Sequence, residues 1–285
     1  MFLQIRDFVL HLRLNYQIFI LSGPYLLGVL LSNYFSSLQL LQYFSVHVLL
    51  FGGVTAYNSY FDKDEGPIGG LKNPPKMSPW MLEGAWMLQF IGLLFAFYSG
   101  LYFVGLYLIS AVLFWMYSSP HIRLKGKPIL SLVGISISTA LLACLLGYYA
   151  NGTTESPSLS VALAALGSSL LVVSLYPLSQ AYQVDEDKKR GDATFSVKYG
   201  KKGVRNIFLF LFPLGLAFVI YGLLSVKFSF AILSLIGGAI SFGSIFLQMK
   251  KLTMTVSDYE LVMTVKYAGG LLFSFFILLF IALRL

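Results

Sequence analysis

The sequence predicts an all-α polytopic membrane protein of nine transmembrane helices, and three observations lead there. The 285 residues are 57% hydrophobic and 11% charged, with a mean hydropathy of +0.77, too apolar for a soluble domain. Apolar segments long enough to cross a bilayer, about 20 residues each, recur along the whole chain and leave no room for a second, soluble domain. The basic residues behind the net charge of +8 gather in alternate loops, where they read as topology signals rather than as a nucleic-acid surface.

Residues 1–13, MFLQIRDFVLHLR, interleave Phe2, Leu3, Ile5, Phe8 and Val9 with Arg6, Asp7, His11 and Arg13, a spacing expected of a helix lying in the membrane interface. The stretch is too long and mixed for the charged region of a signal peptide, and no small-residue cleavage site follows, so it is expected to stay in the mature protein. Spans are predicted at 15–32, 38–58, 80–99, 101–117, 129–149, 158–182, 204–224, 228–248 and 264–284. With the amino terminus in the cytoplasm, four basic loops fall on the cytoplasmic side. They carry Lys63, Lys72 and Lys76, then Arg123, Lys125 and Lys127, then Lys188 to Arg205, then Lys250 and Lys251. Only Lys227 and Arg284 are left outside, a bias that fixes the orientation. The whole of 1–285 reads as one integral membrane domain, expected in the inner membrane of a bacterium. The single cysteine, Cys144, lies in an apolar run and excludes an internal disulfide, while His11, His47 and His121 are too scattered for a histidine metal site.

Chemistry gathers in two stretches. Tyr57 to Gly70, YNSYFDKDEGPIGG, sets Asn58, Asp62, Asp64 and Glu65 directly after the second span. Tyr182 to Asp192, YQVDEDKKRGD, sets Gln183, Asp185, Glu186 and Asp187 directly after the sixth. In one register Tyr57 matches Tyr182, Asn58 matches Gln183, Asp62 matches Asp187, Lys63 matches Lys188 and Gly66 matches Gly191. On a helix, an amide and a carboxylate at i and i+4 fall on one face and point oxygens at a common spot. The even number of crossings between the stretches returns both to the same side, as in two similarly oriented four-helix units followed by a ninth helix.

Carboxylates at the mouth of a membrane helix are costly unless a cation or a basic partner meets them. Two hard cations are therefore expected, and magnesium, which bridges carboxylates to substrate phosphates, suits such oxygen-rich positions; calcium or a purely structural ion is the plainer alternative. Between the two stretches, WMYSSPHIRLKGKP at 115–128 brings Arg123 and Lys125 to the same side, where they serve either as a positive-inside loop or as a grip on an anion. Lys127 reads as topology alone. Pro177 is expected to interrupt the sixth span ahead of Gln183, and GPIGG, lacking the lysine of a phosphate-binding loop, reads as a turn or lid. An anion held among cations at the mouth of a lipid-facing bundle points to a lipid diphosphate.

In their order and placement these motifs resemble the UbiA-type intramembrane prenyltransferases. The resemblance covers nearly the whole chain. It rests on the nine spans, on Asn58 and Asp62 after the second, on Tyr117, Ser118, Pro120, Arg123 and Lys125 after the fourth, and on the acidic motif after the sixth. It implies helices arranged around a central cavity, a polyprenyl diphosphate held by two magnesium ions, and transfer of the prenyl group to a lipophilic or aromatic acceptor in the membrane. By position it implies Asn58, Asp62 and Asp64 at one metal and Gln183, Asp185 and Asp187 at the other, with Asp62 and Asp187 as the catalytic pair. It further implies Arg123, Lys125, Lys72 and Lys188 on the diphosphate, and Tyr117 and Tyr182, with Tyr57, sheltering an allylic cation through their ring faces. Asp64 or Asp185 is the candidate to take the acceptor's proton. Ser59, Gly66 and Gln183 depart from the family's usual aspartates. Two other readings follow from the same residues: a cyclase that closes the cation on itself, and a transporter of an anionic amphipathic solute, which would set its ionisable groups nearer the bilayer midplane.

Overall fold

A chain this apolar, with no water along its length to bond the backbone, has to satisfy its amides within helices. The computed structural model describes residues 2–284, and among them helices alternate with short loops, with one isolated bridge between Ile68 and Leu71 and no extended strand. Helix α1 (Phe2–His11) exposes Leu3, Ile5, Val9 and Leu10 and packs Phe8 against Trp80, the rings tilted at 54° with 5.3 Å between centroids. Arg13, at φ 49, separates it from α2 (Leu14–Phe19), and α3 (Ser22–Leu31) follows. The segment Leu3–Phe19 meets α3 at 48°, so the span expected at 15–32 is a bent pair rather than one straight helix.

The second span, α4 (Ser37–Asp62), begins where the Gln39 side chain accepts from the Ser36 amide at 2.8 Å. Then come α5 (Trp80–Ala96) and α6 (Gly100–Ser118). The chain reverses between them at Gly100, whose φ of 83 suits glycine. They run side by side: Trp115 Nε1 donates to Gln89 Oε1 at 2.7 Å and the Tyr107 hydroxyl to the Gln89 carbonyl at 2.8 Å. The remaining helices are α7 (Pro128–Tyr149), α8 (Leu159–Ala181), the short α9 (Val184–Arg190), α10 (Phe195–Leu224), α11 (Phe228–Met249) and α12 (Tyr259–Ala282). Seven helical runs are long and apolar enough to cross a bilayer, with the α5–α6 hairpin counted as one, and the bent pair adds an eighth. With the hairpin taken as its two arms, nine helical segments among the described residues correspond to the nine predicted spans.

Small residues let these helices touch backbone to backbone. A Cβ on Gly28 of α3 would meet the Cys144 carbonyl oxygen of α7 at 1.8 Å, and one on Gly147 would meet that of Tyr25 at 1.9 Å. Gly167 of α8 and Gly215 of α10 stand in the same relation to each other. Pro177 does not divide α8. The helix continues through it, and its carbonyl accepts from Ser196 Oγ at 2.7 Å at the foot of α10.

Large apolar side chains such as Phe90, Leu101, Phe210 and Phe228 are exposed on the outside, as an integral membrane protein requires. One packed core, with Leu30, Phe103, Leu146, Leu223, Phe230 and Phe280, plugs the bundle at the end away from the acidic loops. A second, with Tyr182, Phe208, Phe212, Met249 and Val262, knits α8, α10, α11 and α12 at the acidic end.

Candidate active site

Helix α4 delivers Asn58 and Asp62 one turn apart on a single face and stops at Lys63, whose φ of 51 closes it. Asp62 is only 8% exposed, which a carboxylate tolerates when donors or cations surround it. These arrive from separate segments. Lys125 Nζ lies 2.5 Å from Oδ2, and Asn58 Nδ2 donates to the same oxygen at 2.6 Å. The guanidiniums of Arg123 and Arg190 stand 3.6 and 3.9 Å from Oδ1. Oδ1 itself is buried and accepts no hydrogen bond. The spacing suggested an amide oxygen beside the carboxylate; Asn58 instead turns its NH2 toward Asp62, because a buried anion draws donors.

The second acidic stretch comes in from the foot of α8. Helix α9 carries Asp185, Glu186 and Asp187 in its first turn and ends at Gly191, whose φ of 80 turns the chain back through Asp192. Asp187 is 5% exposed and accepts from Thr194 Oγ1 at 3.1 Å. Burial pushes its carboxyl up to about 6, against the pull of Lys125 and of the Thr194 hydroxyl. Two arginines tie the stretches together. Arg190 donates to Asp64 Oδ1 at 2.7 Å and to the Asp62 carbonyl at 3.2 Å, and Arg123 forks onto both oxygens of Asp192 at 2.7 and 2.8 Å. That fork also holds Arg123 at φ 45, a left-handed backbone that costs a side-chain-bearing residue roughly 1–2 kcal/mol. Arg13 joins from the amino-terminal side, donating to Ser59 Oγ at 2.7 Å.

Beneath these groups opens a cavity of about 300 Å³. Its polar end is lined by Arg13, Asn58, Asp62, Asp64, Lys125, Gln183, Asp187 and Thr194, and its depth by Phe51, Val54, Phe114, Leu171, Phe212, Val219 and Phe276. Tyr117 and Tyr176 line it with their hydroxyls bonded to one another, and Tyr182 lines it edge-on to Tyr259, 5.2 Å between centroids.

The structure thus brings Asn58, Asp62, Asp64, Gln183, Asp187, Lys125, Tyr117 and Tyr182 to one cavity, with Arg123 just behind Asp62. It does not bring Asp185, Lys188 or Lys72. Successive residues of a helix point about 100° apart, so with Asp187 turned inward Asp185 and Lys188 face outward and are exposed. Lys72 pairs at 2.5 Å with Glu260, both of them exposed. Tyr57 packs away from the cavity on Phe61 and Trp86. Four residues that the sequence reading passed over belong to the polar end: Arg13, Arg190, Asp192 and Thr194. Arg190 and Asp192 were signalled by lying inside the second acidic stretch, and Arg13 by being a lone arginine at the entrance to the first span.

Among the described residues no group of three His, Cys, Asp or Glu side chains is placed to hold a metal unaided. The donor set fits a magnesium ion of a different kind, one completed by substrate phosphate oxygens and water. Asp62 offers a buried oxygen with no partner, and Asp187 lines the same cavity.

The model of the UbiA prenyltransferase family matches residues 21–257. A UbiA homolog from Archaeoglobus fulgidus bound to GPP and Mg2+ has a similar structure, with a TM-score of 0.69 at 18% identity over 95% of this chain and 99% of that one. With DMAPP and Mg2+ bound, the values are 0.68, 18%, 94% and 99%. A digeranylgeranylglyceryl phosphate synthase gives 0.65 at 20% identity over 98% of this chain and 99% of its own. At such identities the fold is what is shared. No curated protein sequence matches the chain.

Proposed function

This chain belongs to the UbiA prenyltransferase family, and from that premise we propose that it moves a prenyl group from a polyprenyl diphosphate to a lipophilic or aromatic acceptor within the membrane. The observation that carries the reading is the meeting of Asp62 and Asp187, from separate helices, at the polar end of one apolar cavity. The complexes of the Archaeoglobus homolog with DMAPP or GPP and Mg2+ support it.

Asp62 and Asp187 would hold magnesium, two ions in our reading, which when bound supplies Lewis-acid stabilisation of the departing diphosphate. Lys125 and Arg123 bind the phosphate oxygens and meet the charge that grows as the prenyl C–O bond breaks, in a site already arranged for it. The apolar depth receives the prenyl tail and keeps water from the allylic cation. Tyr117, Tyr176 and Tyr182 line the path with ring faces that attract positive charge. Asp64 lines the cavity while Asp185 is exposed, so Asp64 is the group that takes the acceptor's proton. The polar end faces the cytoplasm, as its basic loops imply.

The test is purified protein incubated with a panel of prenyl diphosphates and acceptors, with magnesium or with EDTA, and read by mass spectrometry. Prenylated product should form only with magnesium. Asp62→Asn and Asp187→Asn should each abolish it while leaving the thermal unfolding cooperative. Full turnover in either variant overturns the assignment.

A further inference from the structure

Lys266 is the charge in the cavity wall that this chemistry leaves unused. It sits two turns into α12, is 7% exposed and lines the cavity. Among the described residues it pairs with no carboxylate within 4.0 Å. It donates to the hydroxyls of Tyr16 and Ser179, and the Tyr16 ring centroid lies 4.8 Å from its ammonium. A cation buried in a membrane bundle without a counter-charge is costly, and such residues mark places where a ligand supplies one.

The donors can be counted. An ammonium has three N–H groups and each hydroxyl one O–H. With Lys266 donating to both hydroxyl oxygens, its third N–H and the two O–H groups remain to be used. The amide nitrogen of Gln180, a residue 4% exposed in the same cavity wall, is buried without a partner as well. Beside the Lys266 ammonium this wall therefore carries five unmatched N–H and O–H donors, three from Lys266, Tyr16 and Ser179 and two from the Gln180 NH2. Tyr16 is fixed from behind by the turn at Ile68 and Leu71, where a Cβ on Gly69 or Gly70 would come within 3.1 or 2.9 Å of it. The Gly70 amide in turn donates to Met263 Sδ at 3.2 Å, one turn before Lys266 on α12.

We propose that Lys266, Tyr16, Ser179 and Gln180 form an oxyanion subsite, distinct from the diphosphate site, that holds a phosphate or carboxylate on the acceptor. The acceptor is then an anionic amphiphile, bound by its charge at Lys266 while its nucleophilic atom meets the prenyl group. No bond to the subsite forms or breaks. Prenyl C1 leaves its diphosphate oxygen and joins the acceptor's nucleophile, and the displaced proton goes to Asp64. The word acceptor rests on the prenyl-transfer reading, whereas affinity for an oxyanion at Lys266 does not.

The experiment uses the full chain in nanodiscs of uncharged lipid, with geranyl diphosphate and magnesium present to fill the diphosphate site. Dodecyl phosphate, dodecanoate and dodecanol are titrated as probes. At least one oxyanion should bind about tenfold or more tighter than the alcohol, and the tighter of the two identifies phosphate or carboxylate. Lys266→Met should reduce that probe to the level of dodecanol, Lys266→Arg should retain the preference, and Tyr16→Phe should weaken it. Geranyl diphosphate affinity should stay within about twofold in all three variants. Equal binding of the three probes to the wild type, or an undiminished preference in Lys266→Met, overturns the subsite. Loss of the prenyl-transfer reading would show separately, as absent magnesium-dependent binding of geranyl diphosphate to the wild type.

Discussion

Asp187 shows what a single side chain settles. Its carboxyl, raised by burial to about 6, is neutral below that value and charged above it. Magnesium-dependent turnover should therefore fall as pH drops through about 6, and the apparent magnesium affinity should fall with it. The effect on stability runs the other way. A carboxyl that binds its proton more tightly folded than unfolded stabilises the fold below its ordinary value, and that contribution is lost as pH rises through about 6. In EDTA, Asp187→Asn should accordingly raise the melting temperature more at pH 7.5 than at pH 5, which calorimetry at both values would check. Residue by residue, the shared register marks Asn58, Asp62, Gln183 and Asp187, and all four line the one cavity. Asp185, Lys188 and Lys72, which the resemblance added, lie outside the cavity: α9 turns Asp185 and Lys188 outward, and Lys72 pairs with Glu260, and neither the turn of a helix nor the path of a loop can be read from residue spacing. The register also passed over Arg13, read only as part of the interfacial stretch, and Lys266, which it did not single out; packing sets both in the cavity wall.

At the scale of helices, glycine contacts set the geometry on which the site depends. Gly147 lies against the Tyr25 backbone, so Gly147→Leu has to push α3 and α7 apart. Overpacking of this sort costs about 1–3 kcal/mol or more, and a lowered melting temperature with loss of turnover is expected. An Asp62→Asn variant should lose turnover alone. The spans were legible because hydropathy and length are one-dimensional properties. The 48° bend after Phe19 and the wide turns at Ser45–Leu50 in α4 and Ile137–Leu141 in α7 were not, since they answer to neighbouring helices. Pro177, which in sequence reads as a break, is absorbed within α8, where Ser196 anchors its carbonyl.

Over the whole molecule, the two acidic stretches belong to one end of the bundle, as the parity of crossings required, and the oppositely placed Arg284 donates to the Leu30 carbonyl at the other end at 3.1 Å. The proposed orientation, with the acidic end in the cytoplasm, can be checked by labelling. Cys144 is the chain's one cysteine and is buried, so it should stay silent toward an impermeant maleimide. Cysteines introduced at exposed Lys76 and Lys250 should react only from the cytoplasmic side, and those at exposed Thr154 and Lys227 only from the other. The reverse pattern would invert the topology.

Lys125, seated on Asp62 at 2.5 Å, makes the protein its own competitor. On the proposed roles, an incoming pyrophosphate group would draw the ammonium toward itself and free the carboxylate for a divalent ion, so that each ligand would clear the way for the other. By linkage the two affinities rise by one common factor. Magnesium should bind poorly without pyrophosphate and well with it, and Lys125→Met should shrink that difference. If so, the site would stay unloaded in a cell rich in magnesium until a prenyl diphosphate arrived.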